Sequence, residues 1–221
     1  MTETTPLPLD GADHTAALER ALEQKTALLH EVDHRVKNNL QLIASLLLLQ
    51  TRRTTDPGAR EALRGMLERV NAVATVHRRL FQNDDVQRFD VSEFVRDLVG
   101  DIVGATGRED LRAHLDLEPV AVNAARAAPL ALVLSEVVGN AVRHAFPEGQ
   151  AGDIHVTVAR HGGEVRIEIT DNGVGRAVGC PEGFGSTVIQ LLCRQLKATC
   201  VTEDAQPGVR VKVSLPVNGG G

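Results

Sequence analysis

The sequence predicts an α+β chain: an N-terminal helical hairpin, then a few helices packed on a mostly antiparallel sheet. Three observations predict it. A seven-residue apolar repeat, Leu22, Leu29, Val36 and Ile43, runs through the N-terminal region. From Phe89 onward that repeat stops and period-two alternation takes over, as in Ile154, Val156 and Val158. The 221 residues are 43% hydrophobic but only 2% aromatic, so the core must be aliphatic.

The first helix is expected from about Thr15 to Thr51, with Val32, Leu40, Leu46 and Leu47 flanking the heptad row. Thr54-Thr55-Asp56-Pro57-Gly58 is a turn signal. A second helix reaches about Leu80, carrying Met66, Val73 and Leu80 seven apart, with Leu63, Leu67, Val70 and Val76 beside them. One hairpin cannot enclose a core, so a second copy completing a four-helix bundle is the economical solution. Asp90 and Glu93 form a capping box for a helix that lines up Phe94, Val95, Leu98, Val99 and Ile102. Leu111, Ala113, Leu115 and Leu117 alternate as a strand, and a strongly apolar helix runs from near Pro129 to Ala145. Two strands follow, Ile154 to Val158 and Val165 to Ile169. A helix from Ser186 to Leu196 and a last strand from Val209 to Leu215 complete the layer.

Composition narrows the function classes. The net charge is −5, and Tyr and Trp are both absent, so phosphate neutralisation and base stacking are missing and no nucleic acid is expected as a partner. No run of 18 apolar residues predicts a membrane span, and the polar stretch Met1 to Asp10 does not resemble a secretory signal. Cys180, Cys193 and Cys200 cannot all pair and form no C-x-x-C. The expectation is a reduced, cytoplasmic chain without a membrane partner.

Three constellations carry chemistry. In the first, His30-Glu31-Val32-Asp33-His34-Arg35-Val36-Lys37-Asn38-Asn39, His34 lies about 140° around the helix from the Leu29–Val36 row, facing solvent. A neutral imidazole there is a nucleophile available to another protein, or an incidental residue of a solvated face. The same residues satisfy His-Glu-x-x-His, a zinc-hydrolase pattern, but no third-ligand motif follows. In the second, Glu136, Asn140 and Arg143 or His144 share one face of an otherwise apolar helix. A carboxylate, an amide oxygen and a cation there suit hydrated Mg²⁺ and the phosphates on it, or form a plain polar stripe. The third is Asp171-Asn172-Gly173-Val174-Gly175, then Gly183-Phe184-Gly185-Ser186-Thr187 opening a helix. Asp171 would accept from an amino group such as adenine's, and Gly173 and Gly175 would admit a ligand to the backbone. Gly183 and Gly185 would free amides for phosphate at the helix start, next to Ser186 and Thr187. The bland alternative is two turns.

In order, these motifs resemble a sensor histidine kinase from about Leu28 to Pro216. His34-Arg35-Val36-Lys37-Asn38-Asn39 is similar to the H-box of the branch that contains the HWE kinases and their close relatives. Glu136, Asn140 and Arg143-His144 resemble its N-box, Asp171 to Gly175 its G1 box and Gly183 to Gly185 its G2 box. The resemblance implies an ATP-binding α/β sandwich of Bergerat type (the GHKL class) behind a dimerising hairpin. It implies ATP and Mg²⁺ as cofactors, with Asn140 holding the metal and Asp171 reading adenine. His34 would take the γ-phosphoryl group, with Glu136 and Asn38 in the catalytic set, and pass it to an aspartate of a response-regulator receiver domain. Arg35 stands where many histidine kinases have an acidic residue, and with no Trp the chain cannot carry the Trp-x-Glu of the HWE group. Residues 176–182, where an ATP lid belongs, form a short stretch.

The expected organisation is a disordered tail over 1–14, the dimerisation and phosphotransfer hairpin over 15–85, the catalytic domain over 86–216 and a flexible tail over 217–221. That leaves no room for a sensor, so a separate sensor protein is an expected partner alongside a second copy and the receiver domain. The competing readings are an ATP-independent histidine phosphotransferase or phosphatase module, and an anti-sigma-type serine kinase. His77 is expected to pack in the bundle, Cys193 in a helix core, and His114, His155 and His161 in or beside strands without ligand spacing.

Overall fold

A computed structural model describes residues 11–82, 87–147, 150–175 and 184–217. For residues 11–14, 29, 30, 82 and 184 only the backbone is described. The elements run α1 (Gly11–Arg53), α2 (Pro57–Gln82), β1 (Arg88–Asp90), α3 (Val91–Gly104), β2 (Leu111–Leu117) and β3 (Ala121–Asn123). They continue with α4 (Ala127–Asn140), β4 (Gly152–His161), β5 (Glu164–Asp171), α5 (Phe184–Leu196), β6 (Thr199–Asp204) and β7 (Val209–Pro216). A 3-10 turn, Ala124–Arg126, precedes α4, and a π turn, Ala141–Ala145, ends it.

The chain divides into two compact units between Asn39 and Leu40. The first is the N-terminal part of α1, which begins at Gly11 rather than Thr15. Its apolar positions are exposed along with its polar ones: Leu22 is 66% and Val32 50% accessible.

In the second unit, the expected turn between α1 and α2 contracts to three residues. The Asp56 carboxylate accepts from the Ala59 amide at 2.6 Å, making Asp56 the cap and Pro57 the first helical residue. Arg60 closes the turn by donating to the Thr54 carbonyl. Asp90 caps α3 by accepting from the Glu93 amide at 3.0 Å. The reciprocal half of the capping box is replaced by ion pairs, because the Glu93 side chain faces Arg79 and Arg96.

The sheet order is β2-β4-β5-β7-β6, with β2–β4 parallel and the other pairs antiparallel. β1 and β3 pair separately. One sheet face buries Ile154, Val156 and Val158 of β4, Val165, Ile167 and Ile169 of β5, and Val213 and Leu215 of β7. Against it lie Leu130, Val133, Leu134 and Val137 of α4 and Phe94, Val95, Leu98 and Val99 of α3. Ala124–Ala145 is long and apolar enough to cross a membrane, with mean hydropathy 1.3, but two-thirds of that segment is buried in this core. Its apolarity is explained by burial on every side. The opposite sheet face is polar, and there His114 of β2 stacks on its register partner His155 of β4, ring centroids 4.5 Å apart.

Candidate functional site

The N-terminal compact unit carries the candidate nucleophile. His34 is exposed on α1, as are Lys37, Asn38 and Asn39. Arg35 is tied one turn back to Glu31, Nε to Oε1 2.6 Å. Val36 of the heptad row is half-buried, whereas Val32 beside it is 50% exposed. Only the backbone of His30 is described. Among the described residues no group of three His, Cys, Asp or Glu is placed to hold a metal ion.

The C-terminal compact unit carries the other two constellations at the end of α4 and the ends of β5 and β7. Glu136 is 5% exposed. Its Oε2 accepts two N–H groups from Arg69 of α2, at 3.0 and 2.5 Å. Asn140 is half-buried, and its Oδ1 accepts from Arg143 Nη2 at 3.0 Å. Arg143 also lies 3.1 Å from Glu61 Oε1, pairs with Glu68 and comes within 4.0 Å of Glu136 Oε1. The expectation of one shared face holds for Glu136, Asn140 and Arg143. His144 is exposed. The π turn adds a residue to the last coil and so shifts the i+7/i+8 count that an α-helix would give.

Asp171 ends β5, 6% exposed. Its Oδ1 accepts from the amides of Gly173 and Val209, at 3.0 and 3.2 Å. Burial pushes its carboxyl pKa above the usual range, while the backbone donors pull the other way.

Close packing accounts for several of these glycines. A Cβ on Gly173 would overlap the Ala145 carbonyl, and the Val174 amide donates to that same oxygen at 2.9 Å. The segment after β5 packs on the π turn here, which is by itself a sufficient reason for glycine. Gly175 has φ +77°, a conformation that favours glycine whatever lies nearby. A Cβ on Gly185 would overlap Glu136 Oε1, so the first turn of α5 lies directly on that carboxylate. Ser186 is half-buried and Thr187 exposed in the same turn. Gly183, Cys180 and the stretch 176–182 lie outside the described residues.

Sequence reasoning missed four participants. Arg69, Glu61 and Glu68 sit on the α2 face that also buries Ala72 and Val76, where a heptad reading assigns them to solvent. Gly208 has φ +92°, and a Cβ there would overlap the Asp171 carbonyl. A signal for it existed in Gln206-Pro207-Gly208, a turn preceding the last alternating strand.

The donor chemistry fits Mg²⁺ and nucleotide. A carboxylate and an amide oxygen one turn apart are hard oxygen ligands. A buried carboxylate aimed by two backbone amides suits an amino donor, and the α5 start is packed closely enough to require glycine.

Known proteins resemble both parts of the chain. Residues 31–106 match a family described as histidine kinase. Residues 125–219 match the histidine kinase-, DNA gyrase B- and HSP90-like ATPases. The chain is 32% identical over 215 residues to the sensor histidine kinase PdtaS of Mycobacterium tuberculosis, covering 91% of this chain and 42% of that protein. It is 26% identical over 199 residues to blue-light-activated histidine kinase 2 of Erythrobacter litoralis, covering 86% and 57%. The chain thus spans less than half the length of PdtaS. Among solved structures, the histidine kinase domain of the Erythrobacter litoralis EL346 blue-light activated histidine kinase superposes with a TM-score of 0.65. That match covers 80% of this chain and 96% of that one at 18% identity, a likeness of fold.

Proposed function

For a chain that belongs to the histidine kinases, we propose an ATP-dependent protein-histidine kinase that phosphorylates His34 and passes the group to a receiver-domain aspartate. The observation that supports it is the pairing, on one chain, of an exposed His34 with a separate ATPase-like fold that buries Asp171 and Glu136. In this reading an imidazole nitrogen of His34 attacks the γ-phosphorus. The P–O bond to the β-phosphate breaks, a P–N bond forms, the imidazole proton is released and ADP leaves.

Asp171 would accept from the adenine amino group with the oxygen that the Gly173 and Val209 amides leave available. Asn140 and Glu136 would hold Mg²⁺, whose chemistry is to neutralise phosphate charge, and Arg143, Ser186 and Thr187 would bind phosphate oxygens. Residues 15–85 would form the dimerising phosphotransfer hairpin and 86–216 the catalytic domain. A second copy would cover the exposed apolar positions of α1, and the enzyme would work in the cytoplasm.

The test is incubation with γ-labelled ATP and Mg²⁺, with and without a candidate receiver domain. Acid-labile label that disappears in His34→Ala, and that moves to the receiver, supports the reading. Acid-stable label, or label retained in His34→Ala, overturns it.

A further inference from the structure

The acceptor atoms that suit a metal ion are already engaged by cations from within the chain. Glu136 Oε2 takes both of its close N–H contacts from Arg69, and the pair is buried, with side chains 6% and 19% exposed. Asn140 Oδ1 takes its contact from Arg143. Arg143, in turn, is held by Glu61 and Glu68 of α2. The two contacts have opposite polarity: α2 gives an arginine to one N-box residue and two carboxylates to another. Gly139 lets them close, since a Cβ there would lie 2.7 Å from both Arg143 Nη1 and Glu68 Oε2.

Two arginines face three carboxylates here, so each arginine already has an anionic partner from within the chain. A guanidinium hydrogen-bonded to these oxygens puts a positive charge beside the place a dication would take, and an arginine neutralised by two carboxylates is a poor phosphate ligand. Toward the C-terminus of α2, Arg79 pairs with Asp97 of α3, so α2 stays attached there when the N-box contacts open.

Resting on the ATP-binding reading above, we propose that α2 is an autoinhibitory clasp: Arg69 on Glu136, and Glu61 with Glu68 on Arg143, hold the N-box in a nucleotide-excluding state. Binding of Mg²⁺–nucleotide requires their release. Reciprocity follows, because a clasp that opposes nucleotide is opposed by nucleotide to the same degree.

The experiment measures binding of mant-ADP with and without Mg²⁺ to the full chain, to Arg69→Met and to the double variant Glu61→Gln/Glu68→Gln. Met keeps the apolar stem of Arg69. Glu61 and Glu68 are 43% and 28% exposed, and the Gln amide oxygens can still accept from Arg143, which is 15% exposed. The expected result is Mg²⁺-dependent binding at least tenfold tighter in either variant, including binding that appears only in the variants. Affinity unchanged or weaker in variants with the wild-type far-UV spectrum overturns the clasp alone. Absence of binding in every chain overturns the ATP reading and the clasp with it. A measurement on the unaltered chain requires no substitution to fold: hydrogen exchange across residues 61–69 should quicken when Mg²⁺–ADP binds, and unchanged or slower exchange overturns the clasp.

Discussion

The carboxylate of Asp171 accepts a hydrogen bond from the amide of Val209 at 3.2 Å, tying the end of β5 to the first residue of β7. The residue proposed to read the base is therefore also part of the sheet. Its second amide donor, Gly173, belongs to the same turn.

This double use separates binding from folding in one substitution. Burial raises the Asp171 pKa above its unfolded value, so the folded state holds a proton more readily than the unfolded chain across that window. Stability contributed by the group therefore falls as pH rises through the window, and the cost of the buried charge is fully present at neutral pH. In Asp171→Asn the amide oxygen accepts the same two backbone hydrogen bonds without the charge. We expect Asp171→Asn to resist urea at least as well as the wild type near neutral pH, with the gap closing as pH falls through the raised pKa. Nucleotide binding should be lost at both ends. A variant that unfolds more easily at neutral pH contradicts this account.

Gly173→Ala should fail for the opposite reason. Its Cβ meets backbone, the Ala145 carbonyl, which cannot rotate away as a side-chain tip can. Overpacking of this kind costs ~1–3 kcal/mol. Gly163→Ala, where nothing lies within 4 Å of the added carbon, should change stability by no more than ~0.5 kcal/mol. Denaturant unfolding of the two variants, compared side by side, checks the assignment. Equal effects would return Gly173 to a ligand-facing role.

The architecture was legible because its signals are local. The alternating strands and the Asp90 cap each lie within a few residues and appear at their expected places, and the heptad segments are helical. β1, β3 and β6 were not legible. The first two are three residues long, and β6, at the sheet edge, shows a mostly exposed pattern with no alternation to read. At the site, Glu136, Asn140 and Asp171 were found because carboxylates and amides are conspicuous on apolar elements. Arg69 and Glu68 were not, because they lie 67 and 75 residues from the groups they touch and look like ordinary helix-surface charges. The Asp171–Val209 bond spans 38 residues and was equally invisible.

The apolar run from Ala124 to Ala145 has a direct test of its own. If it is a core helix, truncating one of its fully buried side chains opens a cavity. Leu134 is 1% exposed, and Leu134→Ala should cost ~2–5 kcal/mol in a two-state unfolding experiment. A loss below ~1 kcal/mol would contradict the packing described for α4.

The last prediction concerns the face that α1 leaves uncovered. Leu42, Ile43, Leu46 and Leu49 are 45–59% exposed on a single chain, and they follow helical spacing. On α2, Ala72 and Val76 are 2% exposed, although Met66 is 45% exposed. So α2 buries part of its apolar stripe within the chain, whereas α1 keeps much of its own outward. Burying a Leu or Ile side chain is worth ~1.5–3 kcal/mol, so four such residues per copy supply a substantial driving force for association. We expect sedimentation equilibrium to give a dimer for the wild type and a monomer for Ile43→Lys/Leu46→Lys, with far-UV helicity retained and the Leu134-centred core intact. Neither substitution touches α4, so nucleotide affinity should be unchanged. A double variant that remains dimeric would place the interface elsewhere on the chain.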